Sequence, residues 1–333
     1  MLPDVPGLSL RVHPGGTAPA ALMVPIANAV YLANGVDELT TVPDLENWLS
    51  HTTVGFDPTQ DVVLAEVGGA LVAYGWVEWV DTSDGRLREF RLGGYVHPDW
   101  QQRGIGRRLL AWQEERAQLH PAASATERSL VLGTWSSDEN VRKVRLFTHA
   151  GYEMVRYFFE MNRPNLDDIH LSPMPDGLEI RPLAPDRASL KQMWDADAEA
   201  FQDHWGGFDS SDAAFEAWLT DPNHDPALWV VAWDGDEIAG GVTNAIFAAE
   251  NEAFGRARGW METVFVRRRW RRRGLGAAIV ARALVRLREE GMSEAGLGVD
   301  SDNPTGALAL YERAGFGVHR RSAAYRKPME LTR

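Results

Sequence analysis

The chain contains no cysteine in 333 residues. That absence removes disulfides, thiolate metal ligands, a cysteine nucleophile and a covalent acyl-cysteine intermediate. No metal site is expected. Long apolar runs are missing too: none approaches the ~18 residues a membrane-spanning helix needs. The first residues, Met1-Leu2-Pro3-Asp4, lack a basic stretch followed by an apolar core. The expectation is a cytoplasmic protein with no signal peptide and no membrane partner. Positive charge is in short supply, with 34 Lys and Arg against 47 Asp and Glu, a net −13. Such a surface repels polyanions at long range, which argues against a nucleic-acid partner. What remains is ordinary: 44% hydrophobic and 24% charged residues, the balance of a folded chain. At ~150 residues per domain, the length suggests about two domains.

The chain repeats itself. Gly7-Leu8-Ser9-Leu10-Arg11 returns as Gly177-Leu178-Glu179-Ile180-Arg181, and Trp48-Leu49 as Trp218-Leu219. Tyr95-Val96 and Arg103-Gly104-Ile105-Gly106 return as Phe265-Val266 and Arg273-Gly274-Leu275-Gly276, all 170 residues later. Ala150-Gly151-Tyr152 returns as Ala314-Gly315-Phe316 at an offset of 164, so the first copy is six residues longer around Pro121 to Ala125. A period this long means duplicated domains, not a solenoid. The seam lies between Asn162 and Gly177, rich in Pro, Asp and Asn. The expected domains are 1–165 and 175–333.

Each copy gives the same coarse reading. A short strand opens it, and one or two helices end near Trp48 or Trp218. Apolar runs separated by turn signals follow; Asp234-Gly235-Asp236 is a hairpin turn. A longer strand ends at Val96 or Val266, and a helix starts at the glycine pair. In the second copy Leu275, Ile279, Ala283 and Leu287 keep helical spacing, with Gly291 as the stop. A strand, a last helix and a final strand complete the order β-α-α-β-β-β-α-β-α-β. The fold class is mixed α/β (α+β), with a largely antiparallel sheet flanked by helices in each copy.

Gln101-Gln102-Arg103-Gly104-Ile105-Gly106 and Arg271-Arg272-Arg273-Gly274-Leu275-Gly276 both join a strand to a helix. Glycines there let the backbone approach an anion, and the free amides of a helix N-terminus favour a phosphate. No Gly-Lys-Ser/Thr follows, which separates this turn from the P-loop, and the third glycine of the dinucleotide fingerprint is missing. The bland alternative is a glycine turn entering a helix; its recurrence in matching context favours cofactor binding. The run from Arg267 to Arg273, broken only by Trp270, has three readings: nucleic-acid binding, a localisation signal, or contacts to cofactor phosphates. Its position against the glycine turn in an acidic chain favours the last, with some arginines simply solvated.

These turns resemble the pyrophosphate loop of the GNAT acyltransferases. A second signature, Asn303, Ala307, Leu310-Tyr311 and Ala314-Gly315-Phe316, resembles that family's last helix, and a tandem arrangement of this length also occurs in the family. The resemblance covers most of both halves. It implies acetyl-CoA as cosubstrate, held by Val264, Val266, Arg271, Arg272, Arg273, Gly274, Leu275, Gly276 and Asn303 in the second copy. In the first copy it implies Val96, Gln101, Arg103, Gly104, Ile105 and Gly106. It also implies a partner of another kind, an acceptor that is a small-molecule amine.

Acyl transfer to an amine requires loss of a proton from an ammonium of pKa near ~10, a donor for the oxyanion and protonation of the leaving thiolate. Glu262 lies four residues before Val266, and strand alternation places Glu262, Val264 and Val266 on one face. Family members place a basic glutamate on this strand, so Glu262 is the candidate base; the alternative is a surface carboxylate. Tyr311 is the candidate acid by the same resemblance, and otherwise a tyrosine packed on the sheet. The first copy has Leu92 and Phe147 at these positions, and Asn140 sits one residue out of register with Asn303. The second copy is therefore expected to be catalytic and the first degenerate. For the acceptor, Asp203 or Glu199 can hold an ammonium, His204 can position it, and Trp205 and Phe208 can wall a slot. Alternatively, the segment is a helix C-terminus with His204 and Gly206 as its cap. Two competing functions stay open: a noncatalytic acyl-CoA sensor or scaffold, and a protein N-terminal or lysine acetyltransferase.

Overall fold

The computed structural model describes residues 5–202, 204–303 and 306–331. In chain order the elements are β1 (Leu8–Val12), α1 (Ala20–Ala33), α2 (Val42–Ser50), α3 (Pro58–Asp61), β2 (Val62–Val67), β3 (Ala70–Asp81), β4 (Leu87–Val96), α4 (Ile105–Leu119), α5 (Pro121–Ser124), β5 (Ser129–Ser137), α6 (Val141–His149) and β6 (Glu153–Arg163). The second half supplies β7 (Glu179–Ile180), α7 (Arg187–Phe201), α8 (Asp212–Leu219), β8 (Val230–Asp234), β9 (Glu237–Ala245), α9 (Ala248–Phe254), β10 (Arg258–Val266), α10 (Leu275–Glu289), β11 (Glu294–Asp300), α11 (Ala307–Arg313) and β12 (Gly317–Pro328). They form two compact units, residues 1–156 with 211–222 and 323–333, and residues 157–210 with 223–322.

In the first unit the strands run β1-β2-β3-β4-β5-β12. Neighbours from β1 to β4 pair antiparallel, and β4 pairs parallel with β5. The Val-Val-Leu-Ala run of β2 is apolar at every position because both faces are covered. Val62 and Leu64 pack with Met23, Ile26 and Ala27 of α1, while Val63 and Ala65 pack with Ile105 and Leu109 of α4. A Thr41–Asp44 capping box fixes the start of α2. The unit is closed by the end of the chain: Arg326 grips Glu89 through two bonds of 2.9 and 3.0 Å, and Lys327 pairs with Glu114 at 3.0 Å. The backbone amide of Met329 donates to the Leu130 carbonyl. Helix α8 also belongs here, held to α2 by Asn47 Nδ2 donating to the Ala217 carbonyl.

In the second unit the order is β6-β11-β10-β9-β8-β7. Only β10 and β11 run parallel. Phe158 to Arg163 of β6 pair antiparallel with Asp300 to Ala295 of β11. Met161 is thereby fully buried beside Ile279, Ala283 and Leu287 of α10. Each unit thus takes its closing strand from the other repeat: β6 belongs to the first copy and completes the second unit, and the end of β12 does the converse. No periodicity reports this, because an exchanged strand has the same pattern as a retained one.

Candidate active site

The two glycine turns fold alike. Gln102 and Gly104 have φ of 62° and 93°, and Arg272 and Gly274 have φ of 60° and 86°. A side-chain-bearing residue pays roughly 1–2 kcal/mol for that left-handed conformation, and it does so at the same position in both copies. Left-handed residues at a turn direct successive amides into one concavity, a backbone cradle for an anion. Gly104 and Gly274 are the N-caps of α4 and α10, each 15 residues long, whose first amides lack helical partners. The motif's first residue locks the turn to the strand end: Gln101 Nε2 donates to the Val96 carbonyl at 3.0 Å, and Arg271 Nε to that of Val266 at 2.9 Å. Ile105 and Leu275 are each only 1% exposed, so their side chains anchor the helix and what they offer a ligand is backbone. A Cβ on Gly276 would lie 3.4 Å from Leu310 Cδ2, and one on Gly106 3.4 Å from Leu146 Cδ2. These helices pass close to the last helix of their copy.

Beyond the turn the sheet opens. Parallel pairing of β4 with β5 ends at Arg91–Gly133, and that of β10 with β11 at Met261–Leu297. The rest of each inner strand, 92–96 or 262–266, keeps backbone groups that its parallel partner leaves unused. In the first unit Thr134 Oγ1 donates to one of these, the Leu92 carbonyl, at 2.8 Å. In the second, the counterpart of Thr134 across the 164-residue offset is Gly298, which has no side chain to do so.

Glu262 sits where this opening begins, and its orientation departs from simple alternation. The register of β10 on β9 shifts between Met261 and Thr263, so Glu262 is the extra residue of a β-bulge. Met261 lies in the core around α10, and Val264 and Val266 pack against that same core. Met261 and Val264 are an odd number apart, so the alternation breaks at Glu262. The expectation that Glu262, Val264 and Val266 share a face is therefore corrected. Thr243 Oγ1 accepts from the Thr263 amide at 3.0 Å, repairing the ladder beside the bulge. Glu262 is exposed. In the first unit the pairing of β3 with β4 is unbroken from Ala73–Val96 to Asp81–Arg88, and Leu92 is buried.

Tyr311 lies on α11, 5% exposed, with its ring edge-on to Phe316. Burial pushes its phenol well above the ordinary value. Asn303 precedes that helix, half-buried, its carbonyl accepting from the Gly306 amide. The first unit has Phe147 in place of Tyr311. There Lys143 Nζ lies 5.9 Å from the Tyr95 ring centre and 5.8 Å from that of Phe147, and burial lowers its pKa to about 8.

Most of the arginine run is held by protein. Arg267 pairs with Glu199 at 2.6 Å, Arg269 with Glu237 at 3.1 Å, and Arg273 donates to the Asp176 carbonyl. Arg271 donates a second bond to the Ala200 carbonyl. Arg272 is exposed and makes no hydrogen bond or ion pair with the described residues. In the first copy the Arg103 guanidinium lies over Trp100, 4.6 Å from the ring centre.

On the acceptor side, Asp203 lies outside the described residues. Glu199 is committed to Arg267. His204 stacks on Phe201 with ring centres 4.1 Å apart, and Trp205 packs on Phe158 at 5.8 Å. The first unit fills the corresponding face of its sheet. Counting down from Val96 and Val266, its Tyr74 and Trp76 stand where the second unit has Gly241 and Thr243. Tyr74 and Trp76 pack with Tyr95 and Trp48, and Tyr31 and Tyr95 share a hydroxyl hydrogen bond of 2.8 Å.

Comparison with known proteins agrees with this geometry. Residues 190–316 match the acetyltransferase (GNAT) family and residues 58–154 an acetyltransferase (GNAT) domain. The chain therefore carries two GNAT domains in tandem and is, by class, an acetyl-CoA-dependent N-acetyltransferase. Among curated relatives it is similar to the mycothiol acetyltransferase of Geodermatophilus obscurus, 28% identical over 323 residues, 95% of this chain and 96% of that one. Among solved structures it resembles a GCN5-related N-acetyltransferase from Sphaerobacter thermophilus, with 28% identity, a TM-score of 0.68 and coverage of 99% and 98%. A tandem GNAT protein from the clavulanic acid biosynthesis pathway shares the fold at 15% identity, a TM-score of 0.68 and coverage of 98% and 100%. No helix among the described residues is long and apolar enough to cross a membrane.

Proposed function

We propose that the second unit moves an acetyl group from acetyl-CoA to a primary amine of a small molecule by direct attack. The reading rests on the bulge at Glu262, which sets a carboxylate at the mouth of the opening between β10 and β11. The unbulged first unit presents buried Leu92 there. In this reading the backbone of Arg272 to Gly276 receives the pyrophosphate, and the unpaired edge of β10 at Val264 and Val266 receives the pantetheine amides. Asn303 and Tyr311 flank the thioester. Glu262 takes the proton the ammonium must lose, the amine nitrogen bonds to the carbonyl carbon, and the carbon–sulfur bond breaks. Tyr311 then gives its proton to the departing thiolate, and the second proton that the nitrogen sheds in becoming an amide restores the phenol. His204 and Trp205 border the acceptor.

The names of the relatives favour a small-molecule acceptor, and a mycothiol precursor is the first to try. The first unit keeps the anion turn at Gln101 to Gly106 but has Leu92 and Phe147, with aromatic rings filling the acceptor face. It is read as a copy that holds CoA through Val96, Gln101, Arg103, Gly104, Ile105 and Gly106 without turning it over.

The test is release of free CoA from acetyl-CoA with a panel of amines, together with calorimetry on Gly276→Asp. That substitution sets bulk and negative charge in the turn, and acetyl-CoA affinity of the second site is expected to fall at least about a hundredfold, the worth of roughly one to two lost charge-assisted bonds. Unchanged affinity removes the turn from the cofactor site.

A further inference from the structure

Helix α7 carries a carboxylate that the chemistry above does not use. Asp197 lies one turn after Met193, whose side chain packs over Gly241 and beside Phe265. The helix therefore rests on β9 and β10, on the face opposite the α10 core. Oδ1 of Asp197 is sealed from solvent and has no hydrogen-bond partner among the described residues. Trp194 and Phe201 lie three residues before and four after it, on the same side of the helix. Phe208 bridges them, with ring centres 5.0 Å from Trp194 and 6.4 Å from Phe201, and His204 stacks on Phe201. A carboxylate oxygen sealed from solvent, on the helix side that carries Trp194 and Phe201, is costly to bury unless a cation meets it.

The internal repeat supplies a control. At the offset of 170 that aligns Trp48 with Trp218 and Val96 with Val266, Met23 matches Met193 and Ala27 matches Asp197. Met23 and Met193 are both buried, so the two helices share a register. Ala27 is 1% exposed within an apolar cluster. The fold therefore needs no carboxylate at this position. Only the unit read as catalytic has one, and among the described residues no positive side chain answers it: Lys191 pairs with Asp195, and Arg267 with Glu199.

We propose that Asp197, on the side of α7 that carries Trp194 and Phe201, is the docking point for the positively charged ammonium of the acceptor. The acceptor class is then a cationic amine rather than an uncharged or acidic molecule. The carboxylate supplies charge, and the ring faces supply cation–π attraction and exclude water. Asp197 acts here as a binding residue, separate from the proton transfers assigned to Glu262 and Tyr311. The inference deepens the acetyltransferase reading and rests on it for the word acceptor.

The test uses the full chain with CoA present. Binding of benzylammonium and of benzyl alcohol, an uncharged analogue of similar shape, is measured by calorimetry for the native protein, Asp197→Asn and Asp197→Ala. The second variant reproduces Ala27 of the first copy. Native protein is expected to prefer the ammonium, and both variants to lose that preference by about thirtyfold or more, as when one partner of a buried charge pair is removed. In turnover, the KM for amine should rise with the KM for acetyl-CoA unchanged. Equal selectivity in the native protein and the variants overturns the inference even if acetyl transfer is robust. Absence of turnover with every amine overturns the acetyltransferase reading instead, and the calorimetric comparison still decides the role of Asp197.

Discussion

Tyr311 and Phe147 differ by one oxygen at matching positions, so the chain contains its own control for the proposed acid. Tyr311→Phe keeps the ring, its burial and its contact with Phe316. Loss of a placed acid or base costs roughly a hundredfold to ten-thousandfold in rate. Turnover is expected to drop within that range while calorimetric acetyl-CoA affinity stays within about threefold; full activity would remove Tyr311 from the chemistry. Asp197 makes a different prediction, on stability. Burial raises its pKa from the ordinary 3.8 to about 7. Between those values the folded chain holds a proton that the unfolded chain releases, so this group's contribution to stability falls as pH rises through that window. At ~1.4 kcal/mol per unit the penalty above pH 7 is about 4 kcal/mol at most. Asp197→Asn should raise the Tm at pH 8 and leave it nearly unchanged near pH 4. An equal shift at both pH values would show that the carboxylate is not desolvated. A residue that destabilises the resting fold and is absent from the sister copy is the kind retained for a ligand.

At the scale of elements, the turn gives a prediction that composition would not. Gln101 and Arg271 differ in charge yet make the same bond, to the carbonyl five residues earlier. Arg271→Gln is therefore expected to keep the turn and change acetyl-CoA affinity by less than about threefold, whereas Arg271→Ala frees the Val266 carbonyl at a cost of about 1 kcal/mol or more and weakens binding further. Equal losses in both variants would instead assign Arg271 a direct charge contact with phosphate. The turn, the helices entered from it and the duplicated order of elements were legible in the sequence because glycine positions and apolar spacing determine them locally. The direction of Glu262 was not. Alternation counted back from Val266 fails at the bulge, and the bulge lies against β9, where Thr243 accepts from the Thr263 amide, a partner that no spacing within β10 reveals. The arginine run shows a related limit. Charge density suggested phosphate contacts, and spacing did not reveal that Glu199, Glu237 and two backbone carbonyls, distant in sequence, hold four of its members. Asp197 was legible in principle, since the offset of 170 sets it against Ala27; among ordinary helix residues its burial was the missing signal.

For the molecule as a whole, the repeat seam and the compact units do not coincide, and this limits how the chain can be divided. A fragment of residues 1–165 keeps Glu89, whose side chain is 3% exposed, and Arg91 at 3.6 Å from it, but loses the closer Arg326. Removing one partner of a buried pair costs up to about 3–5 kcal/mol, and the β5 edge loses its neighbour as well. A fragment of residues 166–333 loses Met161 from the centre of its core, worth a further ~2–5 kcal/mol. It also loses Glu160, the partner of Arg320 at 2.8 Å, and exposes the edge of β11. Whole domains are stable by only about 5–15 kcal/mol, so neither fragment is expected to be soluble and cooperatively folded alone. Co-expressed, each can supply the other's closing strand, and both should then be recovered as one acetyl-CoA-binding complex. Should residues 166–333 alone unfold cooperatively and bind acetyl-CoA with native affinity, the exchanged strand would be dispensable. Duplication without exchange would have left a first copy without Glu262 and Tyr311 counterparts free to be lost. With exchange, the second unit's β11, which lines the opening beside Glu262, is held in place by residues 158–163 of the first copy, so the copy lacking Glu262 and Tyr311 counterparts stays necessary to the one that has them.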